Sequence, residues 1–253
     1  MYRPRVIPVL LLQNKGLVKS VRFKDHRYIG DPINAVRILN DLKADELAFI
    51  DILATKEKRT ISVDFVKNVG EEANMPFSVG GGIRNIEDIR RILKAGAEKV
   101  ILNTIAGEDP DFIRNAADAF GSSTITVCID VKNDFWGVQK VWIKAGTKSV
   151  HLSPVEYARE MENKGAGEII IHSVDKDGTM SGYDINLIKK ISESISIPVV
   201  ALGGAGNMGH FDALNSTVSL NGLAAGSMFV FHGDRRAVLI NYPERGEILK
   251  LFK

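Results

Sequence analysis

The sequence predicts a single (βα)8 barrel, and three observations lead there. The first is length: 253 residues suit one α/β barrel, and a composition of 45% hydrophobic and 25% charged residues is that of an ordinary folded chain. The second is alternation, because short apolar runs recur, each followed by a stretch rich in Gly, Asp and Asn and then by a segment of helical period. The third is an internal repeat. Displacing the sequence by 122 residues lays Glu46 on Glu168, Pro76 on Pro198, Gly81 on Gly203, Gly82 on Gly204 and Asn85 on Asn207. Two matching (βα)4 halves make the TIM-barrel architecture, whose chemistry sits at the C-terminal ends of the strands. A doubly wound open sheet is the alternative, but it gives no reason for two superimposable halves. Residues 1–253 are expected to form one domain.

The elements follow in order. Residues 6–12 form an apolar run interrupted by Pro8, too short to cross a bilayer or to serve as a secretory signal, and read as the first buried strand over 6–11. Further strands are expected over 47–51, 77–79, 100–102, 125–130, 169–172, 199–202 and 223–225. They are continuous apolar runs, as parallel strands covered on both faces require. Between them, segments such as 85–95 and 186–194 place Ile and Leu at helical spacing with charged residues elsewhere.

Charge and cysteine usage narrow the class. Lys and Arg total 33 against 31 Asp and Glu, a net +2 without the excess needed to neutralise phosphates, so neither nucleic acid nor membrane is expected as a partner. Cys128 is the single cysteine, which excludes an internal disulfide and suits a reducing, cytoplasmic compartment. It reads as a small core residue. The histidines His26, His151, His172, His210 and His232 show no pair at ligand spacing, so neither a metal nor any other cofactor is expected.

Two loops are candidate phosphate cradles. The third strand runs into Gly80, Gly81 and Gly82, and the seventh into Gly203, Gly204, Ala205 and Gly206, each loop opening a helix. Their partner loops are Asn103-Thr104 and Ala225-Gly226-Ser227. Each half thus offers one anion site, and a small molecule phosphorylated at both ends would span the mouth. The plainer reading is that these glycines only make tight turns.

The strings VGGGIRN, KVILNT, GAGEIIIHSVDKDGTMSGYD and ALGGAGNMGHF closely resemble the cyclase subunit of imidazole glycerol phosphate synthase. The resemblance implies a barrel that takes ammonia from a glutaminase subunit docked at its N-terminal face and uses it to cleave and cyclise a ribonucleotide with two phosphates. It implies Gly82, Asn103 and Thr104 on one phosphate, and Asp177, Gly178 and Gly204 near the other. It also implies two aspartates as general acid and base at the ends of the first and fifth strands. Asp130, within CIDVK, is the second. Leu11 stands where the first belongs, and laying the first strand over the fifth likewise sets Leu11 opposite Asp130. Leucine cannot transfer a proton, so efficient cyclisation is not expected.

Lys19 is kept in matching context; its alternative is an exposed loop lysine. His172, where the family commonly has threonine, is a candidate substitute acid or base facing Asp130 across the mouth, or else a hydrogen-bonded structural residue. From Lys132 to Pro154 the resemblance weakens, with Phe135-Trp136 and KSVHLSP unlike the usual substrate loop. At the other end, Arg5, Glu46, Lys99 and Glu168 match the ring that gates ammonia in the family, with neighbouring Glu98 on the partner face; a salt-bridge plug is the structural alternative. The chain has no nucleophile suited to glutamine hydrolysis, so a separate glutaminase is expected. The three-leucine run in the first strand resembles the divergent paralogues of surface-polysaccharide loci, where a separate amidotransferase converts an N-acetyl sugar to an acetamidino sugar. An active cyclase and a non-catalytic phosphate-binding scaffold are the alternatives.

Overall fold

The computed structural model describes residues 3–251. Eight parallel strands close on themselves: β1 (Arg5–Gln13), β2 (Leu47–Asp51), β3 (Phe77–Gly80), β4 (Lys99–Leu102), β5 (Ile125–Asn133), β6 (Glu168–Ser173), β7 (Val199–Leu202) and β8 (Gly222–Ala225). Each pairs with the next, and β8 returns to β1 with Arg5 beside Gly222 and Pro8 beside Ala225. This is the predicted barrel, and the strands lie within a few residues of their expected bounds.

Eight helices cover it: α1 (Pro32–Asp41), α2 (Val63–Glu72), α3 (Ile86–Lys94), α4 (Asp111–Phe120), α5 (Pro154–Asn163), α6 (Ile185–Ser192), α7 (Met208–Asn215) and α8 (Arg245–Lys250). Short helices at Thr104–Glu108 and Ser227–Val230 follow β4 and β8. Local chemistry sets the helix starts. Asn85 accepts from the Asp88 amide and Asn207 from the His210 amide, so the same residue type caps α3 and α7 after the two glycine loops. Among the described residues no helix is long and apolar enough to cross a membrane.

Side-chain alternation along the strands makes two cores. Outward residues such as Val6, Leu10, Val127, Ile129, Ile169 and Ile171 pack in the large shell under the helices. Inward residues Ile7, Val9, Ala48, Ile101, Ile170, Val200, Leu202 and Ala224 fill the barrel, with Leu11, Ile50 and Cys128 packed on them and partly exposed. The same alternation carries Arg5, Glu46, Lys99 and Glu168 to the inside at the bottom, and Asp130 and His172 to the inside at the top.

Hairpins absent from the sequence reading rise from the mouth. After β1 the chain runs back as Gly16–Val21 and returns as Lys24–Gly30, and β5 pairs with Gln139–Ile143. The second hairpin carries Phe135 and Trp136 at its tip, 93% and 84% exposed.

Candidate active site

The mouth is built on β5 and β6, whose register sets His172 directly beside Asp130. His172 Nδ1 lies 2.8 Å from Asp130 Oδ1. The expectation that His172 faces Asp130 across the mouth is therefore corrected: the two are neighbours on adjacent parallel strands, because the stagger of the sheet pairs them. Asn103, in the loop after β4, donates to Asp130 Oδ2 at 3.3 Å and to the Cys128 carbonyl at 3.0 Å.

Cys128 packs as a small residue against the inner core cluster but is not sealed within it. It is partly exposed on the inside of β5, and its Sγ lies 3.6 Å from Asp130 Oδ1. Burial and the neighbouring Asp130 charge push its thiol up to about 11.

The hairpin after β1 brings Lys19 over the same wall. Lys19 is 4% exposed, which overturns the exposed-loop alternative, and its Nζ donates to Asp177 Oδ1 at 2.9 Å and to the Ser20 carbonyl at 2.9 Å. Ser20 Oγ adds a long contact to Asp177 Oδ2 at 3.4 Å. Asp177 Oδ1 is 3.9 Å from His172 Nε2, beyond hydrogen-bond reach, so that buried nitrogen has no partner and feels Asp177 as a charge. Burial raises Asp177, but His172 and Lys19 outweigh it and hold its carboxyl well below the usual carboxylate range. Burial lowers His172, and the hydrogen bond to Asp130 outweighs it, holding the imidazole well above its ordinary value of 6.5. The wall sets an imidazole ring between two carboxylates.

The opposite wall is apolar. Leu11 pairs in register with Ile50 on β2, and β1 stands four strands from β5 whichever way one counts. Asp51 follows on β2, yet its carboxylate is bonded to Arg59 and to the amides of Leu53 and Ala54. Among the described residues no free carboxylate stands at the end of β1 opposite Asp130.

The glycine loops are tightly built. A Cβ on Gly82, at φ +65°, would meet the Arg59 carbonyl oxygen at 1.9 Å, and one on Gly204, at φ +107°, the Gly182 carbonyl oxygen at 2.1 Å. Packing against neighbouring loops alone therefore requires glycine at both repeat-related positions. Gly226 leaves room for Lys19, whose Cε would lie 2.8 Å from an added Cβ. Gly81 and Gly203 lie in the same loops and Gly178 in the loop after β6, all with positive φ. Thr104 Oγ1 accepts from the Lys144 amide, and the buried Ser227 Oγ has no partner. Asn103 and Asp177 direct their side chains to the wall of Asp130, His172 and Lys19.

At the barrel floor Arg5 bonds both Glu46 and Glu168. Lys99 Nζ lies 3.1 Å from Glu168 and 3.9 Å from Glu46, and Thr126 Oγ1 donates to Glu168 at 3.3 Å. Burial pushes Glu46 up against the pull of Arg5 and Lys99. The cation side chains are 30% and 21% exposed while both carboxylates are 6% exposed. Glu98 is exposed beside Lys99.

Ser20 and Cys128 are the site residues that sequence reasoning missed. Pairing the strings TVCID and EIIIH in register gives the signal for Cys128; nothing local marks Ser20.

Comparison with known proteins fits this geometry. Residues 5–235 match the family described as "Histidine biosynthesis protein". The chain is 45% identical over 253 residues to a Leptospira borgpetersenii protein named "Putative imidazole glycerol phosphate synthase subunit HisF", with 100% of both chains covered. It is 43% identical over 244 residues to the "Putative imidazole glycerol phosphate synthase subunit hisF2" of Pseudomonas aeruginosa, covering 96% of this chain and 97% of that one. It is also 43% identical over 211 residues to the imidazole glycerol phosphate synthase subunit HisF of Alkaliphilus metalliredigens, covering 83% and 84%. This chain belongs to that histidine biosynthesis family, among its imidazole glycerol phosphate synthase HisF-like subunits.

Proposed function

We propose that this member of the family is the barrel subunit of a glutamine amidotransferase pair, which receives ammonia at its N-terminal face and passes it to an acceptor at the mouth. One observation carries the reading: a complete ring of four charges closes the floor beneath a mouth whose β1 side holds Leu11 and no proton carrier. Ring and acid/base pair have parted company in this chain.

The floor supplies a gate. Arg5 and Lys99 are the more exposed members, so they swing toward a docked glutaminase while Glu46 and Glu168 stay fixed. Above them the interior is lined by Ile7, Ala48, Ile101, Ile170, Val200 and Ala224, which favours neutral ammonia over ammonium. At the mouth Asp130 takes a proton from the incoming nitrogen, with His172 as the adjacent donor, while Asp177 and Lys19 hold the imidazole's environment. The glycine loops with Thr104 and Ser227 hold a phosphorylated acceptor. The nitrogen acceptor assigned here is a nucleotide sugar of surface-polysaccharide synthesis, acted on with a separate sugar amidotransferase.

An active cyclase is the second reading, favoured by the 2.8 Å pair of His172 and Asp130, an acid and a base in contact. Supplying the diphosphorylated ribonucleotide with excess ammonium salt bypasses any glutaminase and separates the two. We expect no release of imidazole glycerol phosphate; robust release establishes the cyclase. Co-purification with a glutaminase, lost on Lys99→Glu or Glu98→Lys, tests the docking face, and absence of any such partner overturns ammonia delivery.

A further inference from the structure

We infer that the mouth binds a divalent transition-metal ion of the zinc class, with Cys128, Asp130 and His172 as its protein ligands. One donor atom from each lies within 4.8 Å of the other two. Cys128 Sγ is 3.6 Å and His172 Nδ1 2.8 Å from the same oxygen, Asp130 Oδ1. Bonds of about 2.0–2.3 Å to one tetrahedral ion put its ligands roughly 3–4 Å apart, so small side-chain shifts suffice.

Four further features favour an ion. Cys128 and Asp130 stand two apart on β5 and point inward together, and His172 is set beside them by the sheet register, so the donors sit on rigid strands. The mixed sulfur, nitrogen and oxygen set suits Zn²⁺ or Co²⁺ and not the all-oxygen preference of Mg²⁺ or Ca²⁺. A thiolate and a carboxylate neutralise a divalent ion, so no net charge is buried. One outer partner is in place, Asn103 donating to Asp130 Oδ2, and Asp177, anchored by Lys19, lies 3.9 Å from the second nitrogen of His172, which is buried and makes no hydrogen bond.

Three protein ligands leave a fourth position for water or an acceptor atom, the pattern of catalytic rather than structural zinc. Such an ion supplies Lewis-acid polarisation in a mouth where Leu11 can supply no proton. The linear spacing of histidines and cysteine conceals this set because its members come from two strands.

The inference does not depend on the ammonia-delivery reading, since binding is read without partner or substrate. Chelator-stripped full-length protein is titrated with Co²⁺ and followed by absorption. We expect one equivalent to produce a thiolate-to-cobalt charge-transfer band in the near ultraviolet with strong tetrahedral bands in the visible, both removed by Zn²⁺. Cys128 is the single cysteine, so the band reports this residue in the unmodified chain even if variants fold poorly. Cys128→Ser abolishes the band, His172→Gln abolishes stoichiometric binding, and Asn103→Ala weakens it by roughly 10–100-fold. Absence of a thiolate band with excess cobalt, or binding unchanged in Cys128→Ser and His172→Gln, overturns the inference.

Discussion

The two ends of the barrel both bury charges, but they do so in opposite ways. At the floor the four charges alternate around the axis, and the cations are exposed enough to reach water. At the mouth Lys19, Asp130, His172 and Asp177 cluster on one side, each less than 10% exposed, apart from the Asp51–Arg59 pair at the end of β2. A ring whose cations reach water lets those cations turn out to solvent, while Glu46 and Glu168 are the members left buried. A one-sided cluster sealed on all members is held in a single arrangement, which is what positioned chemistry requires.

The largest expected effect tests the rigid end. Asp177→Asn leaves buried Lys19 without its carboxylate and lowers stability by about 3–5 kcal/mol in denaturant unfolding. A loss under about 1 kcal/mol breaks the comparison. Glu168→Gln removes the carboxylate shared by Arg5 and Lys99, but those cations can turn to water, so the loss is about 1–3 kcal/mol. If the floor costs as much as the mouth, the two ends are equally sealed.

Leu11→Asp sharpens the contrast within the mouth. Partly exposed Leu11 gives up some apolar burial, worth about 1–2 kcal/mol, while the new carboxylate stands opposite Asp130. With the ribonucleotide and ammonium, turnover rises by roughly 10²-fold or more over the parent chain if a missing proton carrier is the only defect.

A smaller, pH-resolved effect lies at the N-terminal face. Burial raises Asp45, but the paired bonds from Arg3 and the Val6 amide outweigh it and hold it below its ordinary 3.8. A depressed folded value means its contribution is present above 3.8 and lost as pH falls through the lower folded value. Asp45→Asn is therefore less stable near neutrality, by about 1 kcal/mol, and shows a shallower acid loss in urea melts run across that window. The smallest effect belongs to the exposed hairpin tip: Trp136→Ser changes stability by less than about 0.5 kcal/mol in the same melts.

Much of this molecule is legible residue by residue. The strand over 47–51 and the one over 199–202 match their observed bounds, and Asn85 and Asn207 mark helix starts, because apolar runs and side-chain caps act within a few residues. The four floor residues are also legible, each being the charge that precedes an apolar run. The hairpins are not: 16–30 carries Lys, Arg, Asp and His among its apolar residues, and its pairing answers to the end of β1 rather than to its own pattern.

Eight strands with their intervening helices, the charges at the strand starts and the leucine on β1 can be read along the chain, since apolar runs, helical spacing and the internal repeat are properties of linear order. Only the tertiary structure decided that His172 touches Asp130, that Lys19 is buried on Asp177 and that Cys128 joins them. Those contacts span 42 residues in one case and 158 in another. The first is set by the stagger between neighbouring strands as the barrel closes, and the second by the hairpin after β1 folding over the loop after β6, and neither belongs to any one segment.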